Sequence, residues 1–567
     1  MAGAASASGV AVESIGERFL GLAAAQPEQR WCTYFPGMAG PHTASYSQLR
    51  DRALEFAVAF GVAGQARKRI AVCVYPSLDL HAAFLGAILA GHIPAMMPPF
   101  SPKTEPVKLQ KTISHFLQSM HPDLVVIDNE TIGCLQSASV RLGSEVDVIS
   151  PSEVRGRADG AGRQRGGLDI AFIQHSSGTT GLQKGVALSH ASVIRHHQSY
   201  SRAIGLRHGE DSIVSWLPLY HDMGLIACFM VPLMAGLSIV EIPTLAWAER
   251  PGLLFDAITA HRPTLCWLPN FAYTFLAQSL QRSLPDSIWD LSSIRLWTNC
   301  SEPITDRSQR AFLQAFEAIG CKPESLGGSY AMAENVFAVT QSTNSANAAV
   351  VVSKGELSKH FVAPPKSAED GRVVISCGAP IEGVRIKILE IGSEAPCQND
   401  VGEIAIKSNF LFTEYWKNPD ATSKAFTADG YFRTGDSGFV KGYDVFVTGR
   451  LKDIIIIQGK NLHAGDIEAL LADVEGIIPG RVVALGLMDE SMGSERLVVL
   501  AETDATEAAH KKSITGGIRT RIFAEMNIPV STIRLLPPRW LIKSTSGKMA
   551  RLENKDKFLK SIEEKNV

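Results

Sequence analysis

At 567 residues the chain is several times the size of one typical core, so at least two separately packed units are expected. Hydrophobic residues make up 45% and charged residues 20%, ample apolar material for such cores and a composition that excludes a disordered chain. Lys and Arg total 55 against 57 Asp and Glu, so the net charge of −2 offers no field to gather nucleic acid or anionic lipid.

In chain order, the first ten residues, MAGAASASGV, carry no basic residue and no apolar core, which reads as a frayed tail rather than a secretory signal. Nine cysteines are scattered without any Cys-x-x-Cys pair, the usage of reduced thiols in a cytoplasmic protein. A helical pattern over Tyr46 to Phe60 is followed by short apolar runs, Arg69 to Tyr75 and Asp123 to Asp128. That alternation predicts layered α/β architecture with mostly parallel strands. Gly91 to Pro102 leaves an apolar run through several prolines, which by itself marks a rigid turn, and Gly156 to Gly167 reads as an exposed connector. The long uncharged stretch from Met223 to Val240 is broken by Gly224, Pro232, Gly236 and Ser238, so it divides into a helix and a strand and is not a membrane span.

The chemistry begins at the strand-like Leu168 to Ile173, followed by His175-Ser-Ser-Gly-Thr-Thr-Gly-Leu-Gln-Lys-Gly-Val186. Such a loop can wrap backbone N–H groups and hydroxyls of Ser176, Ser177, Gly178, Thr179, Thr180 and Gly181 around phosphate oxygens, with Lys184 supplying charge. It is not a Walker loop, because no Gly-Lys-Ser/Thr stands at the required spacing and no helix opens on it. Alone, it is as readily a plain glycine turn. Downstream stand Tyr330-Ala-Met-Ala-Glu334, Tyr431-Phe-Arg-Thr-Gly-Asp436, Gly449-Arg-Leu-Lys-Asp453 and Ser546-Gly-Lys548. Taken singly, Glu334, Arg450, Lys452 and Lys548 are ordinary surface charges and Asp436 a turn residue after Gly435. The run Asp453 to Ile457 reads as a buried strand that opens a smaller domain.

Taken together and in this order, the segments resemble the motifs of the adenylate-forming superfamily, which includes acyl-CoA synthetases, peptide-synthetase adenylation domains, luciferases and fatty acyl-AMP ligases. The resemblance covers about residues 20 to 560. It implies an α/β fold with a large N-terminal domain of layered α/β subdomains, residues 1–450, and a smaller, mobile α+β C-terminal domain, residues 451–567, hinged at Lys452. It also implies ATP and Mg²⁺. The nucleotide would meet the phosphate loop and Lys184, with Tyr330 on adenine, Ser329, Ala331 and Met332 beside it, and Asp436 and Arg450 at the ribose. Glu334 and Thr180 would hold the metal, and Lys548 would be the catalytic lysine. Gln183, Ala331 and Ala464 depart from the family pattern, which more often has proline, glycine and proline there.

Three segments resemble fatty acyl-AMP ligases in particular. In Ser215-Trp-Leu-Pro-Leu-Tyr-His-Asp-Met-Gly-Leu225, His221, followed by Asp222, takes the place where amino-acid activators carry an aspartate, and it joins the candidate catalytic set. Gln341 to Gly371 is too long for a plain connection. It contains a strand-like Val350 to Val352 and resembles an insertion that restrains domain rotation and disfavours free coenzyme A; an ornamental loop is the alternative. The proline-rich Gly91 to Pro102 is the third. Trp216, Met223, Trp267, Phe271 and Phe275 are candidates for an acyl pocket, with ordinary core as the bland alternative. The resemblance thus implies activation of a fatty acid to acyl-AMP with release of pyrophosphate, then acyl transfer to the phosphopantetheine thiol of an acyl carrier protein. The alternatives are a fatty acyl-CoA synthetase or a catalytically silent relative.

Overall fold

The computed structural model describes residues 13–37, 40–61, 66–98, 106–137, 146–155, 169–175, 184–280, 288–343, 348–457, 460–489, 494–526, 528–544 and 547–563. The helix predicted at Tyr46–Phe60 starts where Ser45 and Gln48 form a reciprocal capping box and stops at Gly61, whose φ is +73°. It buries Tyr46, Leu49, Ala53, Phe56, Ala57 and Phe60, one stripe at helical spacing, and lies across the helix Leu78–Leu89. A Cβ at Gly86 would come within 2.6 Å of the Phe56 Cβ and 2.7 Å of the Ala53 carbonyl, so this crossing needs glycine.

These helices flank two sheets. A seven-stranded sheet runs in the order Leu326–Gly328, Leu296–Cys300, Leu265–Pro269, Ser212–Ser215, Ser238–Glu241, Arg30–Gly37 and Gly40–Ser45. A four-stranded sheet runs Ile93–Met96, Arg69–Cys73, Leu124–Ile127 and Asp147–Ile149. All their ladders are parallel except the final pair of the larger sheet. Elsewhere the expectation of mostly parallel strands fails. Ile170–His175, Gly185–Ser189 and Glu414–Tyr415 pair antiparallel, as do Val384–Leu389, Gly402–Ser408, Phe432–Lys441 and Asp444–Arg450. Short connections join Ile170–His175 to Gly185–Ser189 and Phe432–Lys441 to Asp444–Arg450, which favours antiparallel closure, whereas Glu414–Tyr415 returns from far along the chain to pair with Gly185–Ser189.

Met223 to Val240 divides as predicted, into a wide π-helix over Met223–Met230, a short helix Val231–Ala235 and the strand Ser238–Glu241. Among the described residues no helix is long and apolar enough to cross a membrane. Gly156 to Gly167 lies outside the described residues.

The segment after Arg450 has its own cores. A sheet of Val482–Asp489, Ser494–Glu502 and Val530–Leu536 carries Ile514, Ile518 and Ile522 of the helix Ala508–Met526 on one face and Leu541 and Phe558 on the other. The described residues therefore form a mixed α/β protein with a large N-terminal and a smaller C-terminal unit. The buried strand expected at Asp453 to Ile457 needs correction: Ile454–Ile457 forms a two-stranded hairpin with Lys460–His463, and Ile456 is 51% exposed between buried Ile455 and Ile457. Four isoleucines in a row look like a buried run, yet one face of a two-stranded hairpin meets water. In the long interval, Ala349–Ser353 pairs with Gly371–Ile375 and the helix Lys354–Leu357 follows, packed through Val352, Leu357 and Val374 onto Val401, Phe439 and Phe446.

Candidate active site

Three of the predicted nucleotide residues meet in the large unit, Asp436 and Arg450 on strands and Tyr330 just after the strand Leu326–Gly328. Gly435 takes φ +72°, a turn that L side chains resist, and its N–H donates to Glu403 at 3.2 Å, which sets the following Asp436 facing inward. Tyr330 Oη donates to Asp436 Oδ2 at 2.7 Å and Arg450 Nε to Oδ1 at 3.1 Å. Burial first, then the Asp436 carboxylate, push the Tyr330 hydroxyl far above its ordinary value, and Asp436 raises the Arg450 guanidinium. Ser329 is buried with its hydroxyl on the Thr340 carbonyl at 2.8 Å, and Ala331 and Met332 follow in half-buried positions.

Glu334 lies in a one-turn 3₁₀ helix, Ala333–Asn335, that ends in strained backbone. Val336 has φ +65° and ψ −57°, and the Phe337 N–H donates back to the Asn335 carbonyl at 2.7 Å, a γ-turn of the rare positive-φ kind. Buried Asn335 holds the turn by donating to the Ala338 carbonyl at 2.7 Å and accepting from Ser408 Oγ at 2.6 Å. Gln174, on the strand that leads into the phosphate loop, donates to the Val336 carbonyl at 3.0 Å. The Glu334 carboxylate accepts from Tyr415 Oη at 2.8 Å, and Lys184 Nζ sits 4.1 Å from the centroid of the same Tyr415 ring. Loss of water lifts the Glu334 carboxyl above its ordinary value, against the pull of the Tyr415 hydroxyl. Ser176, Ser177, Gly178, Thr179, Thr180 and Gly181 lie outside the described residues, as does Ser546.

From the C-terminal unit, Lys548 reaches the large unit and donates to the Ser301 carbonyl at 2.5 Å. Its hairpin is closed by Ser544 N–H to the Lys548 carbonyl at 2.7 Å and by Gly547 at φ +81°, and a Cβ at Gly547 would stand 3.7 Å from the Phe271 ring. Arg551, just beyond, pairs with Asp453 and with Glu468, each at 2.6 Å. Ser301 is itself in the left-handed region at φ +70°, and its hydroxyl lies 3.9 Å from Met223 Sδ. Half-buried Asp222 caps the π-helix through the Met223 N–H at 2.8 Å; burial raises its carboxyl, while Lys548 and Arg450 pull it back down. His221 is buried, its ring 4.8 Å from that of Tyr220.

Of the acyl-pocket candidates, Trp216 and Phe271 lie together, centroids 6.3 Å apart, and Met223 lies beside Ser301. Trp267 lies on the strand Leu265–Pro269, deep in the core, and donates to Tyr200 Oη at 2.8 Å. Lys452 is exposed in the turn Leu451–Asp453, between the last strand of the large unit and the first hairpin of the small one. Tyr415, the Ser301 carbonyl, Asp222 and Lys543, whose ammonium burial lowers to about 8, are site neighbours that sequence reasoning did not assign. Proximity in chain to His221 and Lys548 was the available signal for Asp222 and Lys543; none pointed to the other two.

The chain as a whole is similar to known proteins. The chain is 29% identical over 543 residues to a medium-chain-fatty-acid–[acyl-carrier-protein] ligase, JamA, of Moorena producens (strain JHB), across 91% of this chain and 90% of that protein. A solved structure from studies of fatty acyl-adenylate ligases of E. coli and L. pneumophila is similar at 25% identity and a TM-score of 0.86, over 97% of this chain and 98% of that one. A fatty acyl-adenylate ligase from L. pneumophila in complex with acyl adenylate and pyrophosphate is similar at 27% identity and a TM-score of 0.73, over 96% of each chain. A family model described as AMP-binding enzyme matches residues 22–416, a span that carries Lys184, Glu334 and Tyr415. With well over half its length in that match, the chain belongs to the AMP-binding enzyme family.

Proposed function

We propose that this enzyme activates a fatty acid with ATP to acyl-AMP, releasing pyrophosphate, and then passes the acyl group to the phosphopantetheine thiol of an acyl carrier protein. The observation that carries the reading is Lys548, which crosses from the C-terminal unit to the Ser301 carbonyl of the large unit, where its charge and that of Arg450 both act on Asp222, and Arg450 and Asp222 in turn act on Glu334. When the substrate carboxylate attacks the α-phosphorus of ATP, negative charge spreads over the non-bridging oxygens, and a fixed ammonium is worth most where that charge develops. Asp436, as an ionised acceptor, suits the two ribose hydroxyls. Tyr330 and Arg450 hold that carboxylate in place from both sides. No covalent enzyme intermediate is required, so positioning and electrostatics carry the first step.

Glu334 offers hard carboxylate oxygens in a partly dehydrated place, a donor type that fits Mg²⁺. When bound there, the ion would neutralise phosphate charge; Thr180, its proposed second ligand, lies outside the described residues. In this reading His221 and Asp222 would meet the acid, next in chain to Met223, whose N–H Asp222 caps.

The two units are read as domains of residues 1–450 and 451–567 that rotate about Lys452, a division supported by their disjoint cores. The choice of a carrier protein over free coenzyme A is supported by the inserted hairpin. From it Lys354 pairs with Glu525 at 2.9 Å and Arg372 with Asp466 at 2.8 Å, two ties to the C-terminal unit that would resist its rotation. Cytoplasmic placement agrees with eight described cysteines, all free. The reading is tested by incubating ATP, Mg²⁺ and fatty acids with either coenzyme A or a holo carrier protein. Carrier acylation with little acyl-CoA is expected; fast acyl-CoA formation would assign the enzyme to the synthetase branch.

A further inference from the structure

Trp216 follows the strand Ser212–Ser215, and Trp247 lies in the helix Thr244–Glu249. Thr244 Oγ1 donates to the Trp216 carbonyl at 2.8 Å and ties the two segments together. Their indoles lie face to face, centroids 3.6 Å apart and planes inclined by only 3°, at 5% and 3% exposure. Phe271 meets both by its edge, and Phe275 meets Trp247 in the same way. Since Phe271 is also the ring against which Gly547 packs, one aromatic side chain separates the indole pair from the hairpin of Lys548.

An indole N–H can only donate. Trp31, Trp267 and Trp289 spend theirs on His81, Tyr200 and Asp256. Among the described residues, neither Trp216 Nε1 nor Trp247 Nε1 has an acceptor. Among the described residues Trp297 and Trp416 share that condition singly, and only at the stack do two such donors lie together. Buried donors are nearly always paired, so two unmet in one place call for an acceptor that arrives with a ligand.

Resting on the adenylation reading above, we infer that the acid this enzyme prefers carries an oxygen on its chain, as hydroxyl, oxo or ether, and that the Trp216–Trp247 pair donates to it. A saturated chain leaves both N–H groups unmet, and sites built to hydrogen-bond a substrate discriminate strongly against the analogue that lacks the partner atom.

ATP–pyrophosphate exchange with decanoic acid and its hydroxy and oxo derivatives, oxygenated at each successive carbon, tests this. At least one oxygenated acid should exceed decanoic acid about tenfold or more in kcat/KM. Trp247→Phe, which keeps a ring and removes the N–H, should bring that ratio within about threefold. A wild-type enzyme that treats decanoic acid as well as every derivative overturns the inference, as does a ratio unmoved by Trp247→Phe. Absence of exchange with any acid would instead strike the adenylation reading itself. Should a thermal melt show that Trp247→Phe is unfolded, isotope-labelled tryptophan in the wild-type enzyme gives the same answer. Saturation with ATP and the favoured acid should move two indole N–H resonances downfield, and a spectrum without such movement overturns the inference.

Discussion

The Asp436 cluster and the Lys548 hairpin are held in opposite ways. Tyr330, Asp436 and Arg450 stand on one packed unit, and Asp436, 7% exposed, is gripped from two sides. Lys548 comes from a separately cored unit and meets the large unit through the main-chain oxygen of Ser301, while half-exposed ion pairs such as Lys354–Glu525 also join the two units. Such pairs contribute only about 0–1 kcal/mol each. On the proposed reading, nucleotide binding rests on one packed unit, and the lysine is supplied by another that partly exposed ion pairs tie to it.

If that contrast holds, Lys548→Ala should lower pyrophosphate exchange about a hundredfold to a thousandfold, while ATP affinity measured calorimetrically stays within about threefold. Equal loss of both would erase the distinction. Asp436→Asn should do the reverse, raising KM for ATP about tenfold with a smaller change in kcat, because a charged acceptor becomes a neutral one that Tyr330 and Arg450 no longer hold equally well. A kcat effect larger than the KM effect would place Asp436 with the lysine instead.

Weakening the ties sharpens the comparison from the other side. Lys354→Ala combined with Arg372→Ala should reduce adenylation about twofold to fivefold, imitate the effect of high salt on the wild type, and increase acyl-CoA formation. Unchanged acceptor choice would reduce the inserted hairpin to ornament. The smallest effect concerns acid. His196 and His197 are buried in the large unit, and burial lowers both imidazoles to about 3 from an ordinary 6.5. Between those values the unfolded chain binds more protons than the folded one, so stability falls as pH drops below about 6.5. His197→Gln should recover a few °C of melting temperature near about pH 5 relative to its effect at neutrality, and a parallel pH profile would refute the assignment.

The motifs were legible because each places a chemically committed residue beside its own turn: Gly435 before Asp436, Gly547 before Lys548. The helix Tyr46–Phe60 was legible from its stripe and cap for the same local reason. What escaped is non-local. Tyr415 reaches Glu334 across 81 positions, and Lys548 finds Ser301 across 247, through contacts that only the folded layers bring about. The antiparallel ladders and the half-exposed Ile456 escaped because an apolar run does not announce how many of its faces are covered.

The acceptor for Lys548 is a carbonyl, so the Ser301 side chain contributes nothing to it directly. Recognition of the incoming cation is written in the curl of the peptide at φ +70°, and a substitution there is tolerated according to its ease with left-handed geometry, glycine first, rather than its polarity.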